Sequence, residues 1–213
     1  MRINKYLALQ KISTRRGGDE LIRQKKVFIN GTLATLGSQV GESDTVEVKD
    51  QQTKNYLYFA YNKPIDVETL SPKEGLFPLG RLDKNSHGLL ILTNDGRITD
   101  RLLNPEYEHE KEYVVKTGNK LRSNFKQKME AGVNIEGYVT KKCKVEIVND
   151  FVFKIILTEG KKHQIRRMCA NLFQEIADLK RIRIMNIKLG TLKMGGLREI
   201  KGEELKTFLS SLS

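Results

Sequence analysis

Cysteine is scarce in this chain: Cys143 and Cys169 are the only two in 213 residues. They form no CxxC pair, which excludes a disulfide scaffold and a paired-thiol redox centre. Histidine is as sparse, and His87, His109 and His163 have no metal-ligand spacing. His109-Glu110 opens like an HExxH motif, but Tyr113 stands where the second histidine belongs. Neither a Walker A sequence nor GxGxxG occurs, so the usual phosphate cradles are missing. No apolar run approaches the roughly 20 residues of a membrane span, and residues 1–30 lack the apolar stretch of a signal peptide. These absences predict a reduced, cytosolic protein with neither metal nor bound nucleotide.

Acidic residues are outnumbered. Lys and Arg total 38 against 26 Asp and Glu, a net charge of +12. The excess is clustered: residues 1–30 hold eight basic and two acidic residues, and residues 160–198 hold ten and two. A solvated lysine-rich surface explains solubility but not this clustering. Two basic territories separated by a near-neutral body predict two contact surfaces for a polyanion, and nucleic acid is the expected partner.

The first fifty residues read as a compact unit. "INKYLAL" puts Ile3 and Leu7 on one helical face. Ser13 is the expected N-cap of a second helix carrying Leu21 and Ile22. "KVFINGTLA" reads as a short strand with an Asn30-Gly31 turn, and "DTVEVKD" as its partner. Gly17 and Gly18 inside the second helix cost about 1 kcal/mol each relative to alanine, so that helix is expected to fray or begin late. The stretch "RINKYLALQKISTRRGGDELIRQKKVFINGTLA" resembles an S4-type RNA-binding domain. The basic residues grouped on its two short helices and after them, Arg2, Lys5, Arg15, Arg16, Lys25 and Lys26, are expected to contact RNA phosphates, and the resemblance matches Arg2, Lys5, Arg15 and Arg16 among them. The S4-like domain is expected at 1–50; the polar stretch at 51–55, without periodicity, reads as a linker, and a second domain covers 56–213.

In that second domain strands outnumber helices. Strands are expected near 56–62, 89–93 and "KEYVVKTG", with a hairpin turning at Asn149-Asp150 and two strands after residue 175. Helices are expected at 98–103, around Leu121, Phe125 and Met129 up to Gly132, at 161–173 and at 203–209. Hairpin turns argue for a largely antiparallel sheet, and the fold class is α+β.

"GRLDKNSHGLLILTNDG" raises a question of chemistry, because Asp83 stands at the mouth of an apolar strand. A buried carboxylate is costly unless it is paired. If residues 79–83 are extended, Arg81 and Asp83 share one face, and the arginine favours the ionised carboxylate. Downstream, "EGKKHQIRRMC" puts Ile165 and Met168 toward the core, leaving Arg166 and Arg167 on other faces. An arginine there is either a solvated charge or a planar fork for a carboxylate or phosphate.

Together these segments resemble the S4-carrying pseudouridine synthases that modify ribosomal RNA, over essentially the whole chain. Within that family "TKKCKV" and "RIRIMN" resemble the branch acting on large-subunit ribosomal RNA. Position by position, the resemblance implies that Asp83 is the catalytic aspartate, Tyr113 the active-site tyrosine and Arg166 the basic residue paired with Asp83. Arg81, Lys111, Ile165 and Arg167 fall to substrate binding. Asp66 departs from the family, where glycine is usual, in a segment that also looks shortened. The implied reaction breaks the N1–C1′ bond of a flipped uridine, turns the base and rejoins it through C5, with Asp83 attacking C1′ or removing the C2′ proton. It needs no cofactor, and a monomer is expected. A synthase acting on small-subunit rRNA or tRNA is an alternative, as is a non-catalytic RNA-binding assembly factor. The latter has no use for Asp83, Tyr113 and Arg166 together. S4 domains also occur on aminoacyl-tRNA synthetases, but "KMGG" at Lys193 lacks the serine-lysine of their ATP loop.

Overall fold

The computed structural model describes residues 1–10, 12–49, 55–69 and 71–212. The linker expected at 51–55 therefore lies, apart from Asn55, outside the described residues. Two compact units are present: Met1–Tyr56 with Asp95–Ile98, and Leu57–Asn94 with Thr99–Ser213.

The first unit packs α1 (Ile3–Leu9) against α2 (Arg15–Arg23), beside a sheet of β1 (Val27–Ile29), β2 (Thr32–Leu33) and β3 (Val46–Val48) with β1 in the centre. Ile3, Leu7, Ile22, Val27, Ala34 and Val40 form its core. Thr14, not Ser13, caps α2: its backbone is extended and its hydroxyl accepts from the Gly17 amide at 2.9 Å. That cap lets α2 begin at Arg15, so the glycines do not delay it. Gly18 is buried where a Cβ would lie 3.3 Å from Asn4 Cα and 3.3 Å from Leu7 Cδ1, so its lost propensity is exchanged for close helix packing. The Asn30-Gly31 turn is as expected, with φ of 49° and 76°.

The second unit is built on a nine-stranded mixed sheet. Its strands are β4 (Tyr58–Lys63), β5 (Phe77–Leu79), β6 (His87–Thr93), β7 (Lys111–Thr117), β10 (Lys144–Asn149), β11 (Val152–Leu157), β12 (Ile176–Ile184), β13 (Ile187–Lys188) and β14 (Leu197–Glu199). A separate small hairpin pairs β8 (Asn134–Ile135) with β9 (Tyr138–Val139). The main order is β10-β11-β7-β12-β6-β4-β14, with β13 on β12 and β5 on β6. Among these pairings β12 against β6 is parallel and the others are antiparallel. The α+β class and the largely antiparallel sheet are as the hairpin turns predicted.

All seven residues of β6 are buried, as its apolar run requires of a central strand. At the parallel crossing Gly88 has φ 101°, and a Cβ there would stand 2.3 Å from the Arg181 carbonyl oxygen. Only glycine lets β6 and β12 approach so closely. Beyond α3 (Thr99–Leu103), the helices α4 (Phe125–Glu130) and α5 (Gln164–Asn171) bury Phe125, Met129, Ile165, Met168 and Cys169 against Phe153 and Ile155 of β11. Each such large apolar side chain contributes roughly 1.5–3 kcal/mol. A last helix, α6 (Gly202–Ser210), closes the chain.

Three expectations are corrected. The strand at 79–83 stops at Leu79, because Gly80 takes φ 82° and turns the backbone out of the sheet, so the alternation that put Arg81 and Asp83 on one face does not apply. The helix expected at 161–173 is α5, bounded by His163 (φ 53°) and Phe173 (φ 59°), both left-handed. Leu121 precedes α4, and its amide donates to the Asp150 carbonyl at 2.7 Å.

Candidate active site

Asp83 sits in the loop that Gly80 opens. Leu82 beside it is buried and held by Thr69, whose hydroxyl donates to the Leu82 carbonyl at 2.5 Å and accepts from its amide at 3.1 Å. The turn closes with the Ser86 amide on the Asp83 carbonyl at 2.9 Å. Beneath it lies the fully buried Lys63, at the end of β4. Its ammonium donates to the carbonyls of Ser86 (2.8 Å), Pro64 (2.9 Å) and Lys84 (3.4 Å). Burial pushes the Lys63 amine below its usual range, and the charges of Asp66 and Asp83 oppose that shift. Asp66 itself has φ 60° and donates its amide to Lys84 O at 2.9 Å. The left-handed position explains a preference for glycine, and aspartate is among the residues that tolerate it.

These elements frame a cavity of about 550 Å³ whose lining includes Asp83, Lys111, Tyr113, Ile165, Arg166 and Arg181. Lys111 and Tyr113 are two residues apart on β7 and so share a face. Tyr113 packs against two apolar clusters of this unit. Ile165 and Arg166 come from the first turn of α5. That turn is anchored by buried Glu159, which accepts from the Tyr138 hydroxyl (2.5 Å), the Lys141 amide (3.0 Å) and Gln164 Nε2 (2.7 Å).

The expected Arg166–Asp83 pair does not form. Arg166 Nη2 instead donates to Asn85 O at 2.8 Å and Ser86 Oγ at 3.2 Å, gripping the turn that follows Asp83. The imidazole of His163 stands beside the carboxylate, with Nε2 3.4 Å from Asp83 Oδ1. Because His163 is left-handed, α5 starts one residue later, and it is His163 that the loop brings to Asp83. Arg167 is outside the cavity lining, bound to Glu136 at 2.6 Å and to Ile135 O at 3.3 Å. Arg81 is exposed and lines the cavity. In the first unit Arg2, Lys5, Arg15, Arg16 and Lys25 are exposed and Lys26 is half-buried. Burial pushes the thiols of Cys143 and Cys169 up to about 12, so neither is a thiolate nucleophile at neutral pH.

Residues 46–171 match the family model described as RNA pseudouridylate synthase. The chain belongs to this family. Residues 1–46 match the S4 domain. Among curated proteins, the dual-specificity RNA pseudouridine synthase RluF of Escherichia coli (strain K12) is 39% identical across 96% of this chain and 77% of its own. Ribosomal large subunit pseudouridine synthase B of Bacillus subtilis (strain 168) is 30% identical across 96% of this chain and 92% of its own. A crystal structure of a pseudouridylate synthase matches 100% of both chains with TM-score 0.72 and 27% identity. The protein is thus an RNA pseudouridine synthase, an isomerase carrying an N-terminal S4 domain.

Sequence reasoning misses three residues here: Lys63 beneath the Asp83 turn, and His163 and Arg181 in the cavity lining. Lys63 looked like the polar end of a strand. His163 was weighed only as a metal ligand. Arg181 carried a usable signal, because it alternates in phase with the buried Leu179 on β12. A charge on the buried side of a strand is unusual enough to mark a site.

Lys111 offers a test of its burial. Desolvation, reinforced by the charge of Arg181, pushes its amine from 10.5 down to about 8. The unfolded chain keeps the proton up to about 10.5 while the folded chain releases it near 8. Between those pH values the unfolded state binds more protons, so stability rises with pH, and at pH 7 the full penalty of the buried charge is present. Lys111→Met should therefore melt above the wild type at pH 7, with the gap shrinking toward pH 10. Melting temperatures of both proteins across that range check this, and a constant gap would show that the amine is not under strain.

Proposed function

We propose that this synthase converts a uridine of large-subunit ribosomal RNA to pseudouridine, with Asp83 as the group that acts on the ribose. The observation that supports it is the joint placement of Asp83, Tyr113 and the α5 N-terminus around one cavity. The carboxylate attacks C1′ or takes the C2′ proton. Tyr113 stacks on the flipped base, and Ile165 closes the apolar side. All of these come from one chain, so a monomer suffices, and a ribosomal RNA substrate supports a cytoplasmic location. The large-subunit assignment is supported by the Bacillus relative, a ribosomal large subunit pseudouridine synthase, and by the sequence resemblance. Mapping pseudouridine in the ribosomal RNA of a strain lacking this protein should show one large-subunit site lost; a site lost from small-subunit RNA instead would overturn the assignment.

Arg166 acts on Asp83 through the 85–86 turn in this conformation. Lysine keeps the charge but not the planar fork that reaches a carbonyl and a hydroxyl at once. Arg166→Lys should lower turnover about 10- to 100-fold by letting the Asp83 loop shift, with RNA affinity nearly unchanged. Turnover equal to wild type would show that this grip is dispensable.

Residues 1–50 supply affinity and orientation under this reading, and 56–213 the chemistry. Arg15 and Arg16 occupy the first turn of α2, at the positive end of its dipole, where a phosphate is the natural partner. Deleting residues 1–50 should weaken RNA binding and flatten its salt dependence by about 0.7–0.9 log units per lost phosphate contact. Residual activity on a short stem-loop should survive. Equal slopes of log affinity against log salt for the two chains would show that the basic cluster does not touch RNA.

A further inference from the structure

We propose that Lys111 and Arg181 form a cationic floor that takes up the negative charge developing on the uracil ring as its N1–C1′ bond breaks, a role that rests on the reading above. Arg181 stands directly across from Tyr113 in the β12–β7 pairing, and Lys111 shares the face of Tyr113 on β7. All three line the cavity that holds Asp83. The Arg181 guanidinium lies 6.0 Å from the Tyr113 ring centre, so an aromatic face and two cations meet at one place.

What each cation touches makes the pair unusual. Arg181 is 3% exposed. Its Nε donates to Leu89 O at 2.7 Å and its Nη1 to Arg81 O at 3.4 Å, while Nη2 is buried with no partner among the described residues. Among the described residues Lys111 makes one long bond, to His109 O at 3.3 Å. Neither forms an ion pair with a described residue, because the neighbouring carboxylates are engaged elsewhere. Glu110 and Glu112 both bind Arg183, and Glu159 is held by Tyr138 and Gln164. A buried guanidinium beside a half-buried ammonium, neither with a counter-ion among the described residues, is costly. Fixed cations aimed at a place where negative charge appears during a reaction are what electrostatic catalysis requires.

The chemistry supplies that charge. Heterolysis sends the N1–C1′ electron pair into the ring, where it spreads over N1, O2 and O4. Asp83 meanwhile bonds C1′ or accepts the C2′ proton. Turning the ring about its N3–C6 axis exchanges N1 with C5 and O2 with O4. The carbonyl edge therefore shows the floor the same outline before and after the turn. C5 then bonds C1′ as the Asp83–C1′ bond breaks or Asp83 returns the C2′ proton; C5 loses its own proton, N1 gains one, and the floor is left unchanged. A phosphate is the competing occupant, and the test separates the two.

Single-turnover loss of the N1-linked nucleoside should be measured with full-length protein on large-subunit RNA transcripts made with uridine or with 5-fluorouridine, whose base is the better leaving group. Lys111→Met and Arg181→Lys are the variants, with melting curves confirming the fold; Lys111→Met alone decides if Arg181→Lys does not fold. Lys111→Met should slow the uridine substrate about 100-fold, leave RNA affinity within a few-fold, and show a deficit several times smaller with 5-fluorouridine. Equal deficits on both substrates would overturn the inference. A loss of RNA affinity matching the loss of rate would do so too, and would assign the floor to a phosphate. A wild type that leaves both transcripts intact would remove the reading beneath, and the inference with it, whereas an active wild type with equal deficits removes the inference alone.

Discussion

Asp83→Asn should leave RNA binding within a few-fold of wild type and lower pseudouridine formation by at least about 10³-fold. Asparagine keeps the size of the side chain, so the loop set by Gly80, Thr69 and the 83–86 turn should survive. What disappears is the charge that attacks carbon or accepts a proton. Lys63 loses one of the two negative neighbours that favour its protonated form, so a small drop in melting temperature should accompany the loss. Base-specific chemical labelling reads the activity, and substantial turnover by Asp83→Asn would remove Asp83 from the mechanism.

Lys63→Met should destabilise the catalytic unit by about 2–4 kcal/mol, because the carbonyls of Pro64, Lys84 and Ser86 lose their shared donor inside the protein. For a domain of this size that is a fall of about 5–15 °C in melting temperature. Methionine fills much of the same volume, so the effect should come from lost hydrogen bonds more than from a cavity. Turnover should fall further than stability alone requires, since two of those carbonyls belong to the turn that carries Asp83. A variant that melts and turns over like wild type would show that the ammonium does not hold this loop.

Much of this architecture was legible because local signals agreed with the fold. The unbroken apolar run at 89–92 reads as a fully buried strand, and Asn30-Gly31 reads as the turn it makes. Local spacing misled where one backbone angle decides the outcome. Gly80 and His163 each take positive φ, and those two angles end a strand and shorten a helix at the cavity itself. The Glu136-Gly137 turn of the β8–β9 hairpin escaped in the same way, with φ of 54° and 84°. Within the site, the family resemblance implied Asp83, Tyr113 and Arg166, and they line one cavity. It did not tell that Arg166 grips the turn while His163 faces the carboxylate, because that depends on how α5 is entered. Nor did it find Lys63 or Arg181, whose partners include backbone carbonyls far away in sequence. Carbonyls leave no trace in residue identity.

The most direct measurement incubates the purified full-length protein with protein-free large-subunit RNA, adding no cofactor, and maps pseudouridine by carbodiimide labelling and primer extension. Wild type should convert a defined uridine to completion, and Asp83→Asn at equal RNA occupancy should convert none. Conversion by both proteins, or by neither, would contradict the assignment of the chemistry to Asp83.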